Sequence, residues 1–177
     1  MIRFNLSLST FALAALLSFV SYSCTSQSSQ STTSTSGYKA ENEGWLVNLD
    51  EAYEKSKKTG KPIMANFTGS DWCGWCKRLT AAVFSQDEFK KWASKNVILL
   101  ELDFPRRKTI PEAIRTQNAS LQQAFQVSGY PTVWVFDLEK DKKTNQYQIK
   151  ALGKTGYTPT VAEFTNGVDA MLATRKK

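Results

Sequence analysis

Histidine is absent from the 177 residues, and only three cysteines are present. Without an imidazole, neither a Ser-His-Asp triad nor a Cys-His pair can be built. Histidine-based zinc, copper and iron sites are excluded on the same ground. Three cysteines are too few for a small disulfide-scaffolded protein. Chemistry is left to thiols, carboxylates, amines and phenols. A strongly one-signed charge field is also missing. The net charge of +7 comes from Lys and Arg interleaved with Asp and Glu over most of the chain. That pattern is a solvated, lysine-rich surface and predicts no nucleic-acid partner. A hydrophobic content of 41% is sufficient for one globular domain with a sizeable core.

Charge is missing altogether from Phe4 to Tyr38. Arg3 supplies a positive start, Phe11 to Leu17 an apolar stretch, and Ser18 to Ser23 lead to Cys24, the layout of a secretory signal. A membrane-spanning helix needs about 20 mostly apolar residues. Asn5, Ser7, Ser9, Thr10, Ser18 and Ser21 dilute this run. A small residue, Ser23, directly before Cys24 resembles the bacterial lipoprotein signal, although Ser21 and Tyr22 stand where more aliphatic and smaller residues are usual. The resemblance implies that Cys24 is lipidated and becomes the mature N-terminus. The alternative is ordinary cleavage near Ser23, which leaves an odd thiol in an exported protein. Residues Thr25 to Ser36 are only Ser, Thr and Gln. Such a tract buries too little apolar area to offset its ordering entropy and is expected to be a disordered tether. The expected organisation is therefore a cleaved signal peptide over 1–23, a lipidated cysteine with its tether over 24–37, and a folded domain over 38–177. The expected location is the bacterial cell envelope, facing the periplasm and anchored in the membrane.

Within the folded part, Asn48 caps a predicted helix that Gly60 and Pro62 end. Pro62 to Phe67 reads as a buried strand, and a helix is predicted to start near Cys73, with Cys76, Leu79 and Val83 at helical spacing. Ser85 to Glu88 reads as a capping box for a helix whose inner face carries Phe89 and Trp92. Val97 to Leu102 reads as a continuous apolar strand, Ser120 to Phe125 as a short helix, and Thr132 to Phe136 as a strand. Gln146 to Leu152 suits an antiparallel strand near an edge, and Thr160 to Glu163 a second capping box before a last helix. Trp45 to Val47 is a possible extra first strand. The order predicts an α/β fold with helices covering a mixed sheet.

The strand ending at Phe67 runs into Thr68-Gly-Ser-Asp-Trp-Cys-Gly-Trp-Cys-Lys-Arg78. Cysteines at i and i+3 of a helix start are neighbours, and their sulfurs can close a small disulfide ring. Cys73 sits where unpaired N–H groups and the helix dipole favour a thiolate, which makes it the attacking group. Cys76, one turn inside, can displace a mixed disulfide. Zinc would need about four ligands. Haem attachment would need a histidine at position 77, which is Lys77. A merely structural disulfide is the remaining alternative.

The sequence resembles the thioredoxin superfamily. Trp72-Cys73-Gly74-Trp75-Cys76-Lys77 stands in the place of its Trp-Cys-x-x-Cys-Lys motif, and Gly129-Tyr-Pro-Thr132 in the place of its cis-proline loop. The resemblance runs from about Trp45 to Leu172. It implies a three-layer sandwich with a central mixed sheet of four to five strands flanked by helices. It further implies a cis peptide before Pro131, which packs against the disulfide, and a Tyr130 backbone left free for a substrate chain. Gly74 and Lys77 then support the site, and Trp72 and Trp75 face the substrate, with Trp75 exposed beside the thiol. The family's buried acid on the strand before the motif is replaced, at the best match, by Asn66, which cannot take a proton at neutral pH. Proton transfer would fall to Asp71, to another carboxylate or to water, and Cys76 is expected to resolve slowly. Strong oxidants of the superfamily often carry a histidine between the cysteines; here Gly74 and Trp75 stand there. The pair is expected to be less oxidising than about −120 mV and to approach about −270 mV. The basic segment Phe104 to Asn118, with Arg106, Arg107, Lys108 and Arg115, is expected to be a long loop at the cysteine end of the sheet.

These readings point to a thiol–disulfide oxidoreductase, leaning to reductase or isomerase, acting on exported protein disulfides with no cofactor beyond its own cysteine pair. Its expected partners are exported thiol proteins, an envelope electron donor or acceptor, and the membrane through the lipid anchor. The alternative is a non-catalytic binding or chaperone module. A copper-handling protein is a third reading, disfavoured by the lack of histidine and of a Met-rich cluster.

Overall fold

The structure, a computed structural model, describes residues 37–175. The expected signal segment and Cys24, with the tether up to Ser36, lie outside the described residues.

Helix α1 (Leu49–Thr59) starts where Asn48 accepts the Glu51 N–H at 3.1 Å and ends at Gly60, whose φ of 70° suits a residue without a Cβ. Strand β1 (Ile63–Thr68) follows, with all six residues buried, as a strand covered on both faces requires. Helix α2 (Gly74–Leu79) widens into a π-helical turn (Thr80–Phe84). Helix α3 (Asp87–Asn96), strand β2 (Ile98–Asp103), helix α4 (Glu112–Ala124), strands β3 (Thr132–Lys140) and β4 (Tyr147–Thr155) and helix α5 (Val161–Ala173) complete the order.

The sheet order is β2-β1-β3-β4. Strand β1 runs parallel to β2 and antiparallel to β3, and β3 pairs antiparallel with β4. Side chains alternate across the sheet. Ile63, Ala65 and Phe67 face Leu49 and Ala52 of α1 and Leu121 of α4. Met64 faces the other way, toward Leu79, Val83, Phe89, Phe164 and Val168. The result is the expected three-layer sandwich, a mixed four-stranded sheet with helices on both faces. Among the described residues, no helix is long and apolar enough to cross a membrane.

Three local expectations are corrected. Ser85 does not cap α3. Its backbone is helical and its N–H donates to Thr80 O at 2.9 Å, so it still belongs to the π turn; Gln86 takes the N-cap position without a side-chain bond. The helix read at Ser120 to Phe125 begins already at Glu112, which shortens the expected loop to Phe104–Pro111. Its buried stripe of Ile114, Asn118 and Leu121 contains a polar residue, which hid the periodicity. Asn118 is satisfied there by donating from Nδ2 to Asp103 O at 3.0 Å. The extra strand at Trp45 to Val47 reduces to one parallel bridge between Leu46 and Leu100.

Candidate active site

The site forms where β1 turns into α2. After Thr68 the chain folds back so that the Cys73 N–H donates to Gly69 O at 2.8 Å. The indole of Trp72 lies directly on Gly69: a Cβ there would stand 2.4 Å from Trp72 Cε2, so any larger residue forces the ring to shift. Trp72 is fixed on its other sides as well. Its Nε1 donates to Phe104 O at 2.8 Å, the Arg106 guanidinium lies 3.8 Å from the ring centre, and the ring meets Tyr130 edge-on at 5.7 Å. Asp71 fastens the same loop, accepting the N–H groups of Arg106 at 3.1 Å and of Arg107 at 2.6 Å. Desolvation opposes ionisation of this carboxyl, but those N–H donors prevail and hold it below the usual carboxylate range. A lowered carboxyl committed to a loop backbone is a fastener and a poor base. The basic loop therefore does leave from the cysteine end of the sheet, with Arg106 stacked on Trp72.

Cys73 occupies the N-cap of α2 in an extended backbone conformation, and its Sγ accepts the Cys76 N–H at 3.1 Å. Cys73 and Cys76 form a disulfide, with Cα atoms 5.3 Å apart. Both are buried, Cys73 at 6% and Cys76 at 3% exposure, so position rather than exposure distinguishes them. Cys73 stands outside the helix, where main-chain N–H groups favour its thiolate. Cys76 points inward. Gly74 is exposed with open space around it, so a Cβ there would meet nothing within 4 Å. Lys77 is exposed and its Nζ lies 3.4 Å from Asp71 O. Trp75 is 53% exposed, with Arg78 at 4.6 Å from its ring centre and Tyr157 edge-on at 5.0 Å. Tyr157, which sequence reasoning did not single out, thus extends the aromatic surface beside the disulfide.

The Tyr130–Pro131 peptide is cis. Because Thr132 pairs with Phe67 at the end of β1, Pro131 comes to the same end of the sheet as Cys73. Tyr130 packs between Trp72 and Phe104, and its hydroxyl accepts from Gln122 Nε2 at 2.5 Å. Burial pushes the Tyr130 phenol up, with Arg106 opposing.

Asn66 is 2% exposed and on the α2 side of the sheet, two residues from Met64. Its Oδ1 has no hydrogen-bond partner among the described residues. Its register partner on β2 is Glu101, 1% exposed. Sequence reasoning passed over Glu101 inside an apolar run, although one carboxylate in a continuous apolar strand was itself a signal. It accepts the Glu41 N–H at 2.7 Å, the Asn42 N–H at 3.1 Å and Asn42 Nδ2 at 2.6 Å. Desolvation nevertheless raises its pKa against those donors. Among the described residues, no group of three or more Cys, Asp or Glu is arranged to hold a metal ion.

Comparison with known proteins places these features. A curated relative, the Chlamydia pneumoniae "Disulfide bond reductase DsbH", is 35% identical over 120 residues, 68% of this chain and 66% of its own length. "Thioredoxin-related protein DsbJ" of the same organism is 29% identical over 54% of this chain and 28% of its own length. The chain thus spans less than two thirds of either relative. A solved structure described as "DsbH Oxidoreductase" superposes with a TM-score of 0.63 at 31% identity, covering 77% of this chain and 88% of that one. The Thioredoxin-like family model matches residues 44–137. With that match spanning more than half of its residues, the chain belongs to the thioredoxin-like family.

Proposed function

We propose that this protein is a thiol–disulfide oxidoreductase that reduces or isomerises disulfides of exported proteins in the bacterial cell envelope. The observation that carries the reading is the Cys73–Cys76 disulfide at the start of α2, at the same sheet end as the cis Tyr130–Pro131 peptide. The reduced pair works in two displacements. Cys73 thiolate attacks one sulfur of a substrate disulfide, a mixed disulfide forms, and the first substrate thiol leaves. Cys76 then attacks Cys73 Sγ, the bond to the substrate breaks, and the second thiol leaves. Two electrons pass from the enzyme dithiol to the substrate disulfide. The Cys76 N–H that meets Cys73 Sγ at 3.1 Å stabilises the thiolate both as attacker and as leaving group. Tyr130 and Pro131 offer an extended edge to the substrate backbone, and Trp75 with Tyr157 an apolar platform for an unfolded segment.

Two features support the reductive direction. No histidine stands between the cysteines to stabilise the thiolate further, and the relative spanned to 66% of its length is named a disulfide bond reductase. Recharging then requires an envelope electron donor. Lipidation at Cys24, with the Ser/Thr/Gln tether, would keep the domain at the membrane near such a donor.

Insulin reduction driven by dithiothreitol tests the reading, together with redox titration of the pair. The expected results are turnover above the uncatalysed rate and a potential below the isomerase value of about −180 mV. A pair that stays oxidised and leaves insulin reduction at the background rate would instead identify a binding module.

A further inference from the structure

Resolution by Cys76 needs a base, because the attacking species is a thiolate and the buried thiol must first lose its proton. The strand position where the resemblance to the thioredoxin superfamily implies an acid is held by Asn66, which is buried and cannot take a proton, and Asp71 is spent on the Arg106–Arg107 loop. A cleft of about 290 Å³ lies behind the disulfide, on the inward side of α2. Cys76, Lys77 and Thr80 line it from the helix, Thr68 and Ser70 from the end of β1 and its turn, and Glu101 from β2. It is wide enough to admit water, and polar groups line it.

Two carboxylates of β2 face this side, and they differ. Asp103 is compensated by a cation: Lys108 Nζ lies 3.1 Å away, and Ser70 adds two hydrogen bonds at 2.8 Å and 2.7 Å. Glu101 accepts only from uncharged donors, all in the Glu41–Asn42 segment, and among the described residues it has no salt-bridge partner. The groups around it are the Glu41 carboxylate and Tyr38 phenol from the N-terminal segment, Asp103 from β2, Lys108 from the following loop and Lys77 from α2. Glu41 is itself ion-paired to Lys108. A buried carboxylate without a cation is poised to accept a proton. Beside it in register, Asn66 Oδ1 is a buried acceptor with no donor.

From this juxtaposition we infer that Glu101 replaces the missing acid of β1 and accepts the Cys76 proton, through water in the shared cleft. The inference rests on the proposed thiol–disulfide activity. The Cys76 S–H bond breaks and its proton passes to a Glu101 oxygen. Cys76 Sγ bonds to Cys73 Sγ, and the Cys73–substrate bond breaks with its electron pair on the departing sulfur, which then takes a proton from solvent. When the disulfide is next reduced, Glu101 returns its proton to the Cys76 thiolate. The acid of this site has thus moved one strand sideways, and its anchor is the segment that joins the domain to the preceding chain.

The test separates the two displacements. Formation of a mixed disulfide with a peptide disulfide and its subsequent resolution are followed by quenched mass spectrometry from pH 4 to 9. For Glu101→Gln, attack by Cys73 is expected within about twofold of wild type, and resolution slowed by about 100-fold, the scale of a lost general base. The inflection that Glu101 gives the resolution profile should vanish. Glu101→Asp should recover part of the rate. Asn66→Asp in the Glu101→Gln background, which returns the acid to β1, should recover at least tenfold. A folded Glu101→Gln that resolves at the wild-type rate with an unchanged profile overturns the inference. So does a slow variant that neither Glu101→Asp nor Asn66→Asp improves, since that marks a structural role. Should Glu101→Gln fail to fold, carboxyl NMR of the wild-type protein decides: Glu101 must titrate differently in the oxidised and the dithiol forms, and identical titration overturns it. Absence of Cys73 attack in the wild type would count against the activity itself, a distinguishable outcome.

Discussion

Gly69→Ala tests the packing that holds the active-site turn. A Cβ at this position would stand 2.4 Å from Trp72 Cε2, 2.6 Å from Nε1 and 2.7 Å from Cζ2. Carbon atoms in contact prefer about 3.5–4.0 Å, so the ring must retreat by roughly 1 Å. It has nowhere to go without loss. Arg106 lies 3.8 Å from the ring centre, Tyr130 meets its edge, and Nε1 donates to Phe104 O at 2.8 Å. Overpacking of this kind costs about 1–3 kcal/mol, and a lost hydrogen bond about 0.5–1.5 kcal/mol. Reduced backbone freedom of the unfolded chain returns about 0.4–1 kcal/mol. The expected net destabilisation is about 0.5–4 kcal/mol, with a midpoint near 2 kcal/mol, read by urea denaturation of the oxidised protein. The control is a double-mutant cycle with Trp72→Ala, which removes the obstructing ring. In that background Gly69→Ala should be neutral or slightly stabilising, a coupling of about 1.5–4.5 kcal/mol. Equal destabilisation in both backgrounds, or none in the wild type, would refute the argument.

Three further predictions rest on separate contacts. Arg106→Ala removes the cation over Trp72 and should lower stability by about 0.5–1 kcal/mol while altering Trp72 emission; an unchanged urea midpoint and spectrum would show that the stacked pair contributes nothing. Thr160→Ala leaves the Glu163 N–H, now bonded at 3.2 Å, without its acceptor, and should cost about 1 kcal/mol, a fall of roughly 3 °C in Tm by calorimetry. Burial raises the Glu101 pKa, so between the ordinary Glu value of about 4.3 and the raised native value the folded chain keeps a proton that the unfolded chain has lost. The contribution of Glu101 to stability should be greatest below that window and fall as pH rises through it, by at most about 1.4 kcal/mol per pH unit. Denaturation midpoints of wild type and Glu101→Gln should therefore diverge with pH; parallel curves would contradict the raised pKa.

Much of this architecture is legible from local chemistry alone. Asn48, Gly60 and Thr160 act through their own backbone neighbourhoods, and each ends or starts a helix where its side chain, or lack of one, predicts. The Cys-x-x-Cys pair is legible because its spacing carries the chemistry, and Pro131 because Gly129 to Thr132 resembles the cis-proline loop of the thioredoxin superfamily. The parts that were missed depend on distant partners. Asn118 is a polar residue in a buried stripe, tolerable only because Asp103 O accepts from it. The π turn keeps a helical register in sequence and shows itself only in which carbonyl the Ser85 N–H selects. Glu101 looks like an interruption of an apolar strand until Glu41 and Asn42, some 60 positions earlier, supply its hydrogen bonds. Tyr157 becomes part of the site only when the segment after β4 packs on Trp75. Asn66 was legible as a departure, but its compensation lies on the neighbouring strand, which no spacing within β1 reveals.

The site's asymmetry gives the account its sharpest test. Cys73 caps the helix, whereas Cys76 lines the cleft behind it. Cys76→Ser should therefore let Cys73 attack and strand the mixed disulfide, while Cys73→Ser should trap little. The measurement is the yield of enzyme–substrate mixed disulfide for the two variants, incubated in reduced form with disulfide-bonded insulin and separated by non-reducing electrophoresis with mass spectrometry. The account predicts an adduct through Cys73 in Cys76→Ser at least tenfold above that of Cys73→Ser. Equal trapping by both variants, or none by either, would contradict it.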